Sequence, residues 1–350
     1  MPSDARALAA WDMLLGIEQT ARRTDVRPAG REIVPFTLVS GFLGSGKTTL
    51  LQRMLEQPAG RRIAVLINDF GAVNIDAALI RSRGPTIFEL TNGCACCSLS
   101  AGLAQTLADL LAGPRAFDAI VMEASGIAEP LGILHVALSN PGIRLNAVIV
   151  VADASSVPQQ LEDPLARSTI EQQMRAADLV VINKVDLVDA GELQRAHACL
   201  ADIAPDVRTL TAAQGAVPIE LLLDVPLPAD TGTCLASVTV SHDCPYRSHV
   251  LETPAVLEQR LLRSLAENLP ATILRAKGFV RLAHDSSHHY LLDVVGRRWS
   301  LSRQPATAAY PQGLVVIGTP DREDLRKLAA ALQACGSELP ALRQGSASSK

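Results

Sequence analysis

Three cysteines are crowded into one short stretch of the sequence, NGCACCSLS at residues 92–100. Cys94, Cys96 and Cys97 lie between an apolar run, TIFEL, and a segment with helical periodicity. Thiols in such a cluster serve as buried apolar filler, as a redox-active pair, or as ligands for a borderline-soft ion such as Zn²⁺. From these residues alone, all three roles stay open.

A second stretch, GFLGSGKTTLL, has the residue types of a phosphate-binding loop. Gly41, Gly46, Lys47 and Thr48 fit the pattern G-x-x-x-x-G-K-[ST] between an apolar run and a helical segment. Glycines let backbone N–H groups turn toward phosphate oxygens, and the helix N-terminus adds partial positive charge. We expect Lys47 to reach the β- and γ-phosphates and the Thr48 hydroxyl to bind Mg²⁺. The nucleotide-binding residues expected in this loop are Gly41, Gly44, Ser45, Gly46, Lys47, Thr48 and Thr49.

The segment NKVD, which follows the apolar run LVVI, indicates which base is bound. It contains Asn183, Lys184 and Asp186. A carboxylate at Asp186 accepts hydrogen bonds from N1–H and the exocyclic amine of guanine, which adenine does not offer in that arrangement. After a phosphate-binding loop, this segment therefore predicts GTP rather than ATP.

In a third segment, FDAIVMEASGIAEP, an apolar run ends at an acidic residue, Glu123. Glu123 is expected to lie on the Mg²⁺ side of the nucleotide, and the backbone amide of Gly126 to sense the γ-phosphate. Two roles stay open for Glu123: holding a Mg²⁺-bound water, or orienting the attacking water. We take Lys47, Glu123 and Asp69 as the candidate catalytic residues.

The chemistry-bearing residues follow short apolar runs, and these runs define the expected fold. Short β-branched runs alternate with helical stretches from Phe36 to about Leu223. Strands that are apolar throughout are buried on both faces, as in a parallel sheet whose crossovers are helices. The predicted fold class is α/β: a P-loop NTPase with a mostly parallel sheet flanked by helices, followed by a smaller α+β C-terminal domain.

Composition changes along the chain suggest its domain limits. In the second domain we expect a strand at 236–240, a helix at 252–269, strands at 278–283, 290–295 and 313–318, and a helix at 321–335. The predicted divisions are an N-terminal extension at 1–34 with a helix, the P-loop GTPase domain at 35–223, a linker at 224–234, the C-terminal domain at 235–335 and a flexible tail at 336–350.

Overall composition limits the classes of partner. The 350 residues are 48% hydrophobic and 19% charged, with a net charge of -4 and no block of Lys and Arg. We therefore expect neither a nucleic-acid nor a membrane partner. Seven cysteines without a secretory signal predict a reducing, cytoplasmic location. The oligomeric state is left open between a monomer and a homodimer.

Together these motifs resemble the CobW family of GTPases. The resemblance rests on GFLGSGKTTLL, INDFGAVNIDAALI, NGCACC, MEASGIAEP, VVADA and NKVDL, and continues in LPATILRAKGFVRL, VGRRWSL and GLVVIG. It covers the chain from about residue 36 to residue 333. It implies a GTP-hydrolysing metallochaperone that carries a transition metal, most readily Zn²⁺, to a client metalloprotein recognised by the C-terminal domain.

The resemblance assigns the metal to the NGCACC segment, so that Cys94, Cys96 and Cys97 inherit the role of ligands. Thr48, Asp69 and Glu123 are the candidate Mg²⁺ or auxiliary ligands. The alternatives are a Co²⁺-delivery factor for cobalamin synthesis, or a nucleotide-gated scaffold for an enzyme such as nitrile hydratase. One departure from the family pattern concerns NDFGA, where Asp69 replaces the usual Glu and Ala72 lacks the second acid.

The segment HDSSHH adds a further candidate site. A hairpin that brings His284 close to His288 or His289 would make an accessory metal site. A polar surface turn is the favoured interpretation.

Overall fold

The computed structural model describes residues 33–56, 62–67, 86–89, 98–113, 117–224, 246–304, 310 and 312–336. The chain divides into two compact units, residues 1–224 and residues 225–350. The predicted N-terminal helix and the strand at 236–240 lie outside the described residues, as do all but the first residue of the predicted linker and all but the first residue of the predicted tail. In the parts that are described, no helix is both long enough and apolar enough to cross a bilayer.

The first unit is built on a seven-stranded sheet in which every strand pair is parallel. The strand order is β3-β2-β4-β1-β5-β6-β7. Its strands are β1 (Val34–Ser40), β2 (Ile63–Ile67), β3 (Thr86–Glu89), β4 (Ala119–Glu123), β5 (Ile143–Asp153), β6 (Leu179–Asn183) and β7 (Arg208–Thr211).

Helices lie between β1 and β2 and in each connection from β3 to β7, as parallel neighbours require. They are α1 (Lys47–Glu56), α2 (Ser98–Ala112), α3 (Pro130–Leu138), α4 (Val157–Gln160), α5 (Pro164–Ala176), α6 (Ala190–Ile203) and α7 (Ile219–Leu222). The strands β1, β2, β4 and β6 are buried along their whole length, as their continuous apolar sequences predict. The predicted α/β P-loop fold is confirmed in this unit.

The second unit is a five-stranded sheet in the order β11-β10-β9-β12-β8, and its adjacent strands are antiparallel. The elements are β8 (Arg247–Leu251), α8 (Gln259–Glu267), β9 (Ile273–Leu282), β10 (Asp285–Val295), β11 (Arg298–Arg303), β12 (Gly313–Gly318) and α9 (Arg322–Ala334). Side chains from α8 and α9, including Leu262, Leu328 and Leu332, pack with the strands into one apolar core. The α+β character of this unit is confirmed.

The strands and one helix of the second unit differ from the sequence prediction. Strands β9 and β10 each begin five residues before the expected positions, and β11 was not predicted. The helix expected to begin at residue 252 begins at Gln259, because the chain before it runs through Pro254 and then pairs at Leu257 with Leu282 and Gly336 in isolated bridges. Strand β8 was not predicted. Its sequence, RSHVL, is largely polar, since it forms one edge of the sheet and is mostly exposed.

The parallel sheet determines where chemistry is possible. Because all its strands run in one direction, their carboxyl ends lie along one edge of the sheet. Ser40, Glu123, Asp153, Asn183 and Thr211 end neighbouring strands there. The residues singled out in the sequence after β1, β4 and β6 are therefore brought to the same edge.

Candidate functional site

The loop between β1 and α1 has the backbone of a phosphate-binding loop. Gly41, Gly44 and Gly46 have φ angles of 138°, 75° and 97°, which side chains other than glycine rarely adopt. A Cβ atom at Gly41 would also overlap the carbonyl oxygen of Val151 on β5. At Gly44 nothing lies within 4 Å of such an atom, so this part of the loop faces open space. The loop is thus held against the sheet at one end and open at its middle.

Lys47 begins α1 and turns back over this loop. Its Nζ donates to the carbonyl oxygens of Gly41 (2.9 Å) and Phe42 (3.2 Å), and the residue is only 7% exposed. A positive charge is therefore held across the loop by backbone oxygens. Phosphate oxygens placed in the loop would meet both this ammonium group and the N-terminus of α1.

Thr48, the residue after Lys47, forms a hydrogen bond with Glu123 at the same edge of the sheet. The Thr48 hydroxyl donates to Oε1 of Glu123 at 3.0 Å, although the two residues are 75 positions apart. Glu123 ends β4, which pairs with β1 so that Glu123 lies opposite Val39. A hydroxyl and a carboxylate that face one point are the oxygen ligands that Mg²⁺ prefers. The residues present therefore fit this ion.

Asn183, at the end of β6, connects two loops. Its Nδ2 donates to the carbonyl oxygen of Ser45 (3.0 Å), and its Oδ1 accepts from the N–H of Gly215 (2.9 Å). It is only 1% exposed, and a Cβ atom at Gly46 would overlap its amide. One buried side chain thus fixes the phosphate-binding loop relative to the turn after β7. That turn, with Gln214 and Gly215 at φ 49° and 71°, was not identified in the sequence.

Lys184 follows in a left-handed backbone conformation, with φ 62°. Its Nζ pairs with Oδ2 of Asp153, the last residue of β5, at 2.7 Å. Burial alone would raise the pKa of Asp153, but hydrogen bonds from Lys184 and Ser155 outweigh this effect, and the net pKa lies below the ordinary value. Asp186 lies in the 3₁₀ turn that follows, Val185–Leu187, and is exposed.

Gly126 lies in the turn after β4, against the phosphate-binding loop. A Cβ atom there would come within 2.6–2.8 Å of the side chain and backbone nitrogen of Leu43. Its carbonyl oxygen accepts from Nε2 of Gln173 at 3.0 Å. The structure therefore places the predicted Gly126 beside the loop and adds Gln173, which no local pattern in the sequence indicated.

The remaining predicted site residues are exposed or lie outside the described residues. Thr49 is exposed on α1. Asp69, Cys94, Cys96 and Cys97 lie outside the described residues. Within the described ranges, no group of three or more His, Cys, Asp or Glu side chains is placed to hold a metal ion.

Three histidines of the second unit, His284, His288 and His289, lie at or next to the hairpin between β9 and β10. His288 contacts Asp285 through Nδ1 at 2.8 Å, and Asp285 also accepts from the hydroxyl of Tyr290 and pairs with Arg303. Hydrogen bonds from His288 and Ser287 hold the pKa of Asp285 well below its usual range. The polar turn favoured from the sequence thus contains a network of ion pairs, in which His288 is already engaged.

His289 has different neighbours from His288. Its ring lies 5.5 Å from the ring of Tyr310, centroid to centroid. Burial lowers the pKa of His289, and the positive charge of Arg281 adds to this effect. His284 is exposed and lies 6.1 Å from the ring of Tyr290.

The fold and this edge define the class of the protein: a P-loop NTPase. Residues 35–211 match the family described as CobW/HypB/UreG, nucleotide-binding domain, and residues 246–336 match the cobalamin synthesis protein cobW C-terminal domain. The chain belongs to the CobW/HypB/UreG family.

Two curated relatives are similar over most of their length. The "Zinc chaperone CobW" of Pseudomonas aeruginosa is 33% identical over 332 residues, which cover 81% of this chain and 87% of the relative. The "Zinc chaperone YjiA" of Escherichia coli is 34% identical over 272 residues, covering 71% and 81%. Among solved structures, the Zn(II)-bound YjiA GTPase from E. coli aligns with 24% identity and a TM-score of 0.40, covering 87% of this chain and 99% of that one.

Proposed function

We propose that this chain is a GTP-hydrolysing metallochaperone that binds zinc at its cysteine motif and delivers it to a client protein. As a member of the CobW/HypB/UreG family, the chain is a GTPase. Relatives that align over most of their length are named zinc chaperones, which supports zinc as the metal carried. The delivery step, the client and the role of the second unit in recognising it belong to the proposal.

One observation carries the nucleotide part of this proposal: the convergence of separate loops at the carboxyl edge of the parallel sheet. Lys47 lies across the phosphate-binding loop, Thr48 meets Glu123 at 3.0 Å, and Asn183 fixes that loop to the turn containing Gly215. These groups come from four separate parts of the chain. A nucleoside triphosphate with its Mg²⁺ requires groups of these kinds close together.

The roles follow from the chemistry of each group. Lys47 would exchange its two carbonyl partners for β- and γ-phosphate oxygens, which bind an ammonium more strongly because they are charged. Thr48 and Glu123 would hold Mg²⁺, which neutralises charge that develops on the phosphates. Glu123 is buried at 5% exposure, so its carboxylate faces the site rather than bulk water.

Guanine recognition is assigned to Asp186, with Asn183 and Lys184 as supports. Asp186 is exposed in the described structure and free to accept hydrogen bonds from a base. Lys184, held by Asp153 at 2.7 Å, places an aliphatic chain and a positive charge beside that position. We expect GTP to bind in preference to ATP, because adenine would leave the carboxylate without its two donors.

The metal part rests on the sequence. Cys94, Cys96 and Cys97 follow β3 and precede α2, and thiolates are suitable ligands for Zn²⁺. Two or three thiolates leave a tetrahedral site incomplete, which suits transfer better than permanent binding. Co²⁺ is the alternative cargo, since the same ligands accept it.

Coupling between nucleotide and metal is proposed through the segment between β2 and β3. This segment contains Asp69, Gly71 and Asp76, and it separates the phosphate-binding loop from the cysteines. GTP would order it and set the three thiols for binding, and hydrolysis would relax it and release the ion.

A cysteine replacement series tests the metal assignment. The triple replacement of Cys94, Cys96 and Cys97 by Ser should abolish stoichiometric Zn²⁺ binding in the presence of a GTP analogue. Cys199→Ser is the matched control, because Cys199 is a free, half-buried thiol on α6. Unchanged Zn²⁺ stoichiometry in the triple variant would contradict the assignment. If client activation survives without bound Zn²⁺, the scaffold alternative is correct instead.

A further inference from the structure

A buried amide side chain lies next to the site without belonging to any motif. Gln173, on α5, is only 1% exposed, and its Nε2 donates to the carbonyl oxygen of Gly126 at 3.0 Å. The two residues are 47 positions apart. A glutamine is rarely buried to this degree unless its amide has partners, because an unpaired buried amide is unfavourable. This contact therefore connects α5 with the turn after β4.

The helix that carries Gln173 is firmly held. At its start the Asp163 side chain accepts from the N–H of Leu165 at 2.9 Å, which caps the helix. Just beyond its end, Asp178 accepts from the N–H of Val148 on β5 at 2.8 Å and is 2% exposed. Ile170 and Met174, on the same helix, are buried in an apolar core with β5 and β6. The amide of Gln173 therefore has a fixed position relative to the sheet.

The phosphate-binding loop also lies close to Gly126. A Cβ atom at Gly126 would lie 2.6 Å from Cδ2 and 2.8 Å from both Cγ and the backbone nitrogen of Leu43. The turn is also closed on itself, since the N–H of Ala128 donates to the carbonyl oxygen of Ser125 at 2.9 Å. Gly126 thus lies close to Leu43 and also accepts a hydrogen bond from the amide of Gln173.

We propose that Gln173 is a positioning residue that holds the Gly126 peptide at the γ-phosphate edge of the nucleotide pocket. This inference rests on the proposed GTPase site, in which the Gly126 backbone senses the γ-phosphate. GDP lacks that phosphate, so loss of the contact should weaken GTP binding and slow hydrolysis while leaving GDP binding nearly unchanged. A residue with a merely structural role would affect both nucleotides alike.

The chain provides a matched control one position away. Gln172 is the same residue type on the same helix, but it is exposed. Gln173→Met keeps the length of the side chain and removes the donor, whereas Gln172→Met makes the same change on the surface. We expect Gln173→Met to lower both kcat and the ratio of GTP-analogue to GDP affinity by about tenfold, since small misplacements of positioning groups have effects of this size or larger. Gln172→Met should match the wild type.

Two further measurements keep the inference open to refutation. Amide hydrogen exchange over residues 124–128, in the nucleotide-free protein, should be faster in Gln173→Met than in Gln172→Met. Leu43→Ala, at a side chain that is 58% exposed, should fold normally and reduce the same affinity ratio, because it removes the side chain that approaches Gly126 from the phosphate-binding loop.

The outcomes separate this inference from the proposed function. If wild type hydrolyses GTP but Gln173→Met does so equally well, or loses GDP and GTP affinity together, Gln173 is not a positioning residue. If the wild type neither binds nor hydrolyses GTP, the proposed function is wrong, and the exchange comparison still decides whether Gln173 holds the turn. Equal exchange in the two methionine variants would overturn the inference by itself.

Discussion

Replacement of Asn183 by Ala is the perturbation whose magnitude follows most directly from the structure. The side chain is 1% exposed and makes two hydrogen bonds, to the carbonyl oxygen of Ser45 at 3.0 Å and from the N–H of Gly215 at 2.9 Å. Ser45 and Gly215 are themselves buried. The replacement therefore leaves a donor and an acceptor without partners in the interior.

Each buried polar group that loses its partner costs about 1–3 kcal/mol, so Asn183→Ala should lower the free energy of unfolding by about 2–6 kcal/mol. A domain is stable by roughly 5–15 kcal/mol, so the variant is expected to remain folded at low temperature but with little margin. The phosphate-binding loop would also lose its connection to the turn at Gly215. We expect the affinities for GTP and GDP to fall together by at least tenfold, about 1.4 kcal/mol.

Urea unfolding followed by far-ultraviolet circular dichroism measures the first quantity, and equilibrium binding of a fluorescent GDP measures the second. Asn268→Ala is the control, because that exposed asparagine donates to a single helix carbonyl oxygen, Ser264, at 2.8 Å. The control should lose no more than about 1 kcal/mol and keep wild-type nucleotide affinity. An Asn183→Ala protein as stable as the control, with unchanged GDP affinity, would refute the reasoning.

Three other predictions concern neighbouring features. The pKa of Asp153 is depressed in the folded protein, so its ion pair with Lys184 stabilises the fold fully at pH values above the ordinary aspartate pKa. This stabilisation is lost as the pH falls through the lower pKa of the folded state. Asp153→Asn should therefore flatten that part of the curve of unfolding free energy against pH. Gly126→Ala forces a Cβ atom against Leu43, so GTP turnover should fall by about tenfold while circular dichroism stays unchanged, and undiminished turnover would contradict the close approach. Asp293→Ala removes one partner of a buried ion pair on β9 and β10, so urea unfolding should show a loss of about 3 kcal/mol, and a loss below 1 kcal/mol would contradict it.

The sequence predicted the parts of the fold that have a local signature. The loop from Gly41 to Thr48 was recognisable because backbone geometry demands glycine there, and the strands around it because burial on both faces demands continuous apolar runs. The same logic placed Glu123 and Asn183 at strand ends, and hence at one edge of the sheet. The structure confirms the fold class on this basis.

Features that depend on contacts between distant segments were missed. The pairing of Asp153 with Lys184 and that of Gln173 with Gly126 join residues 31 and 47 positions apart, and neither follows from spacing. The aspartate at the end of the run VVADA was a usable signal, since it ends a strand beside the phosphate-binding loop. A buried glutamine in α5 gave none, because its sequence neighbour Gln172 is of the same type and exposed.

The central claim is that GTP controls metal binding, and a competition titration tests it most directly. Zn²⁺ is titrated against a chelating dye with the protein saturated either by Mg²⁺ and a non-hydrolysable GTP analogue or by Mg²⁺ and GDP. We expect Zn²⁺ to bind at least about fivefold more tightly in the GTP-analogue state, as a coupling of 1–3 kcal/mol between two sites would give. Equal Zn²⁺ affinities in the two states would contradict the claim.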